Sequence, residues 1–555
     1  MTEPRTPPRI FVANVCALVL LLAVLLFSQC GGQPQTARQD AAPTEQTSAT
    51  VKANTSTAPV DEKVRAADAE LARRIAKEID EGEFRSARWG VLVVSLRDGR
   101  VVCARDAERL FLPASTMKLY TTAVALDLLG ADYRWRTSVY ASAPPDAKGM
   151  LNGDLTLYGR GAPDLAAHVT KHTPTDHLQQ LADDLYKRGV RRVRGRVVGD
   201  ESYFRGDALG EGWLWTDVQW YFGAEPSALS IDGNEVTVSV APGAKVGAQS
   251  VVHLVPETDY VHVTNDTDTM ARDVRPSIGV TRGLSDNEVR VWGEMPVGYP
   301  GYGARLAVHE PALWAAELFK RALTARGIAV EGEASARDAR VREGEHFDPA
   351  KAVELSAIMS ATLGEIAHAT NKESINLNAE LILRTLGKER GAAYAPDPDK
   401  ERNVRRGDDE AGVAVVQRWL RERAGANTDH LALHDGSGLS RLDLITPEST
   451  VKLLVRMTQS QAAQVFYDSL PVAGRDGTLA DRLRGARTIE RINAKTGTLT
   501  YVHALSGYAT TSDGEPLAFA IICNEETDRA PGSAAIDAIA ALLAAYPNFE
   551  PQKKK

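Results

Sequence analysis

The stretch that decides the reading of this chain is Pro113-Ala114-Ser115-Thr116-Met117-Lys118, which opens an apolar helix running through Leu119, Val124, Leu126 and Leu129 to Gly130. Residues three apart share a helical face, so the Lys118 amine can reach the Ser115 hydroxyl. A serine near a helix start also has backbone N–H groups that no earlier carbonyl satisfies, and these can bind a developing oxyanion. Lys118 can act as a base only in its neutral form, which burial along the apolar run and neighbouring cations would favour. A chain of this length holds roughly two Ser-x-x-Lys matches by chance, so a solvated lysine beside a capping serine stands as the alternative for the pair alone.

At 555 residues the chain exceeds what one core can organise, and two or three domains are expected. Its 65 Lys and Arg against 73 Asp and Glu give a net charge of -8, which leaves no basic excess for a nucleic-acid partner. The four cysteines, Cys16, Cys30, Cys103 and Cys523, are too few and too widely spaced for a disulfide scaffold or a paired-cysteine metal site. Cys103 and Cys523 are expected to be free, and no metal or other cofactor is implied.

After Arg5 and Arg9, residues 10–27 are almost wholly apolar and end at Ser28-Gln29-Cys30-Gly31-Gly32. That length is just enough for a membrane span and long for a cleaved leader, so residues 1–30 read as a signal peptide or anchor. The chain is then exported or anchored with its positive end inside, and the rest is extracytoplasmic or periplasmic. Phe27-Ser28-Gln29-Cys30 resembles a bacterial lipoprotein cleavage box, in which Cys30 would carry the lipid, although Gln29 replaces the small residue usual there. A lipidated Cys30, a signal anchor and a cleaved signal all stay open. Residues 31–60, rich in Gln, Thr, Ala, Ser and Pro, cannot bury a core and read as a tether, with membrane contact confined to the N-terminal segment.

From Asp61 a helical pattern places Val64, Ala67, Leu71, Ile75 and Ile79 on one face, and Trp89–Leu96 with Arg100–Ala104 reads as a hairpin around Asp98-Gly99. Residues 141–349 change to short β-type runs, among them Arg192–Val198 and Glu235–Val240, interrupted by helical patterns at Thr175–Arg188 and Ala312–Arg326. Helical patterns resume at Leu355–Asn371, Ser374–Leu386, Asp408–Arg423 and Pro447–Gln459. Strands return at Ile492–Thr496, Ala504–Thr511 and Leu517–Asn524 before a last helix, Ser533–Tyr546. The expected class is α/β of the α+β kind: residues 61–140 and 350–550 form one domain whose sheet is closed by its first and last segments and flanked by helices. A mostly-β, two-lobed insertion occupies residues 141–349.

Two further motifs complete the constellation. Ser374-Ile375-Asn376 supplies a hydroxyl and an amide two apart, and Lys495-Thr496-Gly497-Thr498 supplies a cation, two hydroxyls and a glycine on a strand. The order Ser-x-x-Lys, Ser-x-Asn, Lys-Thr-Gly matches penicillin-interacting serine acyltransferases. The chain resembles the class C low-molecular-mass penicillin-binding proteins, which are D-alanyl-D-alanine carboxypeptidases and endopeptidases with a β-lactamase/transpeptidase-like catalytic domain. The resemblance runs from Trp89 to Asn524 and includes Asn152-Gly153-Asp154-Leu155, Gly199-Asp200, Gly212-Trp213, Asp435-Gly436-Ser437-Gly438-Leu439-Ser440-Arg441 and Asp476-Gly477-Thr478-Leu479.

What the resemblance implies is an acyl-enzyme on Ser115, with Lys118 as base, Ser374 as proton relay and Asn376 positioning both lysine and substrate amide. Lys495 gives positive potential to the substrate's terminal carboxylate, and Thr496 and Thr498 donate hydrogen bonds to it. Gly497 keeps the strand edge clear, and the N–H groups of Ser115 and Thr498 form the oxyanion hole. The implied ligands are peptidoglycan stem peptides and crosslinks, with β-lactam antibiotics as acylating inhibitors. The family's substrate side-chain pocket would be built from Asp200 and Phe204 in the insertion and Arg441 in the catalytic domain, an acid and a guanidinium suited to a zwitterionic centre. Asp200 as a turn residue, and Arg441 paired with Asp435 or Asp443, are the structural alternatives. His434-Asp435-Gly436-Ser437 reads as a turn rather than a triad, and Trp213, Trp215 and Trp220 as lobe packing. A β-lactamase and a catalytically silent wall-binding protein are the competing functions.

Overall fold

The strand Pro516–Asn524 sends alternate side chains into two different cores. Leu517, Phe519, Ile521 and Cys523 enter one, while Ala518, Ala520 and Ile522 enter the other, as the period of two in a pleated strand requires. This strand is the middle of a five-stranded antiparallel sheet in the order Ile492–Leu499, Val502–Thr510, Pro516–Asn524, Arg88–Ser95, Val101–Arg105. The computed structural model that shows this describes residues 62–81, 84–163, 176–338, 347–391, 407–527 and 532–549. The N-terminal apolar segment, Cys16, Cys30, the linker to residue 60 and the tail Lys553–Lys555 lie outside the described residues.

The larger side chains face the two terminal helices. Leu71, Ile75 and Ile79 of the helix Glu62–Asp80 and Ile536, Ile539 and Leu543 of the helix Ser533–Ala545 share their core. Both chain ends thus close one sheet, and Cys103 and Cys523 lie buried in that core as free thiols. The opposite face carries small residues because helices and their leading turns press close to it. A Cβ on Gly90 would stand 2.5 Å from the Phe111 ring and 2.8 Å from Pro447. Above this face lie the helix Met117–Leu129 and the helices Leu363–Lys372, Asn376–Arg390, Asp408–Glu422 and Pro447–Met457.

The insertion has two lobes. The first is a five-stranded sheet in the order Ala334–Arg337, Val197–Asp200, Leu155–Tyr158, Arg136–Ala141, Val353–Met359, with the helices Asp176–Lys187 and Pro311–Ala325 against it. The second holds two three-stranded sheets, one centred on Glu235–Ala241 and one on Glu288–Pro296. The first lobe's sheet begins at Arg136 and ends at Met359, so it extends a few residues beyond both ends of the 141–349 span.

Two expected elements differ. Leu355–Asn371 is not one helix. Val353–Met359 is an edge strand paired antiparallel with Arg136–Ala141, and the helix begins only at Leu363. The short apolar run fits either period, and sheet pairing decides it. Thr362 and Glu365 cap the helix reciprocally, with Glu365 N–H donating to Thr362 Oγ1 at 3.2 Å and Thr362 N–H to Glu365 Oε2 at 2.8 Å. Arg192–Val198 is likewise broken into Arg192–Val193 and Val197–Asp200, which belong to different sheets. Gly195 lies at the break, where the backbones approach so closely that a Cβ would stand 2.3 Å from the Gly153 backbone.

The close approach at Gly90 is testable. Gly90→Ala should destabilise the protein by about 1–3 kcal/mol through overpacking against Phe111 and Pro447, read as a lower urea midpoint at unchanged m.

Candidate active site

Ser115 occupies the tight turn Ala114–Thr116, which leads directly into the helix Met117–Leu129. Between Pro113 and Leu126 it is the one residue not buried. The turn is strained, for Ala114 has φ 47°, a region costing on the order of 1–3 kcal/mol for a residue with a side chain. Two glycines clamp it. A Cβ on Gly438 would stand 1.9 Å from the Ala114 carbonyl oxygen, and one on Gly497 would stand 2.7 Å from the Pro113 oxygen and 3.2 Å from the Ser115 nitrogen. The role expected of Gly497, clearing the strand edge for substrate, is therefore corrected. Its missing side chain makes room for the nucleophile's own turn.

Lys118 is fully buried. Its Nζ lies 2.9 Å from Ser115 Oγ, 2.6 Å from Asn376 Oδ1 and 2.8 Å from the Ser437 carbonyl oxygen. Two of these partners are carbonyl oxygens, which can only accept. A neutral amine has two N–H groups; given to Asn376 and Ser437, they leave its lone pair for the Ser115 hydroxyl proton. Burial pulls the Lys118 pKa down to about 7, with the Asp435 and Glu380 carboxyls opposing, so the neutral form is well populated near neutrality. Asn376 is fixed in turn by the insertion, since its Nδ2 donates to the Phe222 carbonyl at 2.8 Å and thereby aims Oδ1 at the lysine.

Ser374 has φ 60° in the short link between the helices Leu363–Lys372 and Asn376–Arg390. Lys495, on the edge strand Ile492–Leu499, donates to Ser374 Oγ and to the Thr496 carbonyl, both at 2.9 Å. Burial and the nearby Lys118 hold Lys495 well below the usual lysine range. An incoming carboxylate would supply the opposing charge and favour its ammonium form. Thr496 donates to Thr478 Oγ1 at 2.7 Å, and it is Thr478, together with Thr498, that lines the cleft.

The cleft holds about 900 Å³, and Ser115, Ser374, Asn376 and Thr498 all line it. The structure therefore brings the three motifs to one cavity. It does not bring Asp200 or Phe204 there. Asp200 is fully buried in the first lobe, where its Oδ2 accepts from Arg337 Nη1 at 2.6 Å and its Oδ1 from Ser202 N–H at 2.9 Å. Phe204 packs with Ala228, Leu377 and Leu381 behind the Asn376 helix. Both assignments to a substrate pocket are corrected: an ion pair and apolar packing already occupy these side chains.

Arg441 does face the cleft, with Nη1 3.5 Å from the Thr500 carbonyl. It is not paired with Asp435 or Asp443, which are fully buried and accept backbone N–H groups of the 434–440 turn. Two acids of the insertion line this cleft: Glu235, which is paired with Arg305, and Asp217, which interacts with Arg441. Burial raises the Asp217 carboxyl and Arg441 opposes the shift, while burial lowers Arg441 and Asp217 opposes that. Asp217 lies four residues past the recognised Gly212-Trp213 match, so following that stretch further would have reached it. Of the three tryptophans, Trp213 donates to Asp435 Oδ2 at 2.9 Å, while Trp215 is 69% exposed and packs no lobe. His434 sits 2.8 Å from Glu211, in keeping with a turn rather than a triad.

The sequence pattern of the D-Ala-D-Ala carboxypeptidase 3 (S13) family matches residues 71–546. A D-alanyl-D-alanine carboxypeptidase from an Actinomadura species is 35% identical over 488 residues, covering 86% of this chain and 85% of the relative. The D-alanyl-D-alanine carboxypeptidase DacB of Haemophilus influenzae is 25% identical over 463 residues, 80% of this chain and 88% of its own. In fold, the crystal structure of penicillin binding protein 4 from Haemophilus influenzae superposes with a TM-score of 0.69 at 23% identity, covering 85% of this chain and 97% of that one.

The lysine geometry predicts a pH profile. Acylation of Ser115 should fall about tenfold per pH unit below about pH 7, where Lys118 becomes protonated, and level off above it. Lys118→Met should abolish that limb and slow acylation by roughly 10²–10⁴-fold, measured by stopped-flow with a chromogenic acylating agent.

Proposed function

The chain belongs to the D-Ala-D-Ala carboxypeptidase 3 (S13) family and is a serine-type D-Ala-D-Ala carboxypeptidase; we propose that it works through an acyl-enzyme on Ser115, cleaving peptidoglycan crosslinks as well as stem-peptide termini. The observation that carries this reading is the buried Lys118 amine held on the Ser115 hydroxyl in a cleft that also presents Ser374.

Ser115 Oγ attacks the carbonyl of the penultimate D-Ala as its proton passes to the Lys118 lone pair. The N–H groups of Ser115 and Thr498 receive the oxyanion, an interaction whose loss typically costs about 3 kcal/mol of barrier. Collapse of the intermediate breaks the C–N bond, and the proton returns to the departing amine through Ser374, which Lys495 holds at 2.9 Å. Lys495 and Thr498 hold the terminal carboxylate. Water attacks the ester, with Lys118 again taking the proton, and Ser115 is regenerated. A crosslink presents the same D-Ala carbonyl with a longer amine, so the open cleft supports endopeptidase action by the same steps. A β-lactam presents a strained amide carbonyl beside a carboxylate and would acylate the same oxygen.

The third residue of the stem peptide is read by Asp217 and Arg441. Their opposite charges in one wall of the cleft suit the ammonium and carboxylate of a diamino diacid side chain. The apolar run of residues 10–27 supports an extracytoplasmic location with N-terminal attachment to the membrane.

Mass spectrometry of the full chain after brief incubation with penicillin should show one adduct, mapped to the Ser115 peptide and absent in Ser115→Ala. No adduct with intact drug would favour a silent binder, and no adduct with hydrolysed drug a β-lactamase. Arg441→Ala should lower kcat/KM about tenfold or more for a peptide with a free diamino diacid side chain relative to one with a capped lysine; equal losses on both would contradict the Asp217 and Arg441 assignment.

A further inference from the structure

The helix Asn376–Arg390 reaches Lys118 twice. Its first residue does so directly, through Asn376 Oδ1. One turn later, Glu380 does so at one remove. Its side chain is fully buried, and its Oε1 accepts the N–H groups of Gly436 at 3.1 Å and Ser437 at 2.9 Å. The carbonyl of that same Ser437 accepts from Lys118 Nζ at 2.8 Å. The reaction steps use Asn376 and give Glu380 no task, yet a buried carboxyl is costly to keep unless its bonds matter.

The turn needs such a fixture. Thr121 Oγ1 donates to the Gly436 carbonyl at 2.7 Å, and Asp435 accepts the N–H groups of Gly438 at 2.6 Å and Ser440 at 2.7 Å. The two N–H groups between these supports, on Gly436 and Ser437, both end on Glu380. The Ser437 carbonyl belongs to the next peptide, whose N–H on Gly438 is held by Asp435, and Glu380 fixes the two peptides that lead into it. The direction of this carbonyl decides where the Lys118 lone pair points. With that carbonyl in place, the two amine N–H groups have carbonyl acceptors and the lone pair faces Ser115. With it turned away, an N–H is left to point at Ser115 Oγ, and the base is misdirected.

We propose that Glu380 is a positioning residue for acylation: it fixes the Gly436–Ser437 turn so that the Ser437 carbonyl holds the Lys118 amine with its lone pair on Ser115. The inference rests on the acyl-enzyme reading above. It makes the acceptor oxygen of Glu380, not its charge, the feature that matters.

The test is the acylation kinetics of the full chain with a penicillin, separating the non-covalent dissociation constant from the acylation rate constant, with thermal melting as a check on folding. Glu380→Gln keeps the acceptor oxygen and should acylate within about threefold of the unsubstituted chain. Glu380→Leu keeps the volume but loses the acceptor, and should acylate at least about tenfold more slowly with the dissociation constant little changed. Should loss of the Glu380 contact to Arg384, which keeps Asp409 and the Asp207 carbonyl as partners, prevent folding, Glu380→Leu with Arg384→Met removes that buried cation and serves in its place. A leucine variant that acylates at the normal rate overturns the proposal, as does a folded glutamine variant slowed tenfold or more, or a loss confined to the dissociation constant. Failure of the unsubstituted chain to be acylated at Ser115 would overturn the acyl-enzyme reading and this inference together, whereas the other results leave that reading standing.

Discussion

The chemistry of this protein depends on taking one lysine amine out of water. An ordinary lysine holds its proton until a pKa near 10.5, and the burial of Lys118 brings this to about 7. The shift corresponds to about 5 kcal/mol of differential stabilisation and raises the neutral fraction at neutral pH on the order of a thousandfold. Burial alone would give a base without direction. The two carbonyl acceptors, on Asn376 and Ser437, give it one. Serine, lysine, amide and turn therefore act as a unit, and losing any one of them alters what the others can do.

The fold around the unit serves mainly to bring backbone close. The sheet shows its small face, with Gly90, Ala504, Ala518 and Ala520, to the helices, so the nucleophile helix can lie near the strand that carries Lys495. The strained Ala114 is retained because Gly438 and Gly497 leave room for the turn on two sides. The insertion also contributes to the site. The Phe222 carbonyl orients Asn376, and Asp217 places an acid in the same cleft as Arg441, so the lobes complete both the base and the specificity wall.

Much of this was legible in the sequence, and the part that was not has physical causes. The three motifs carry side chains whose chemistry identifies them at short spacing, and the terminal segments show periodicity strong enough to predict a shared sheet. The run Leu355–Met359 was misread because five apolar-leaning residues fit a helix or a strand equally well, and only the neighbouring strand Arg136–Ala141 decides between them. In the structure the helix start is fixed instead by Thr362 and Glu365, a capping pair three residues apart. Asp200 and Phe204 show the limit of matching by motif. Position in a matched stretch does not say which way a side chain faces, and here one is held by Arg337 and the other by Leu377 and Leu381. Glycine is harder still, since Gly497 could face a ligand or its own chain, and the separation of Pro113 from Gly497 in sequence hides which.

The most direct test of the account is the titration of Lys118 itself. With ¹³C-labelled lysine, the ε-carbon resonance that disappears in Lys118→Met can be followed from pH 5 to pH 11 by NMR. A midpoint near 7 is the predicted result. A midpoint near the ordinary value of 10.5 would mean that the amine is a cation at neutral pH, and it would contradict Lys118 as the base that activates Ser115.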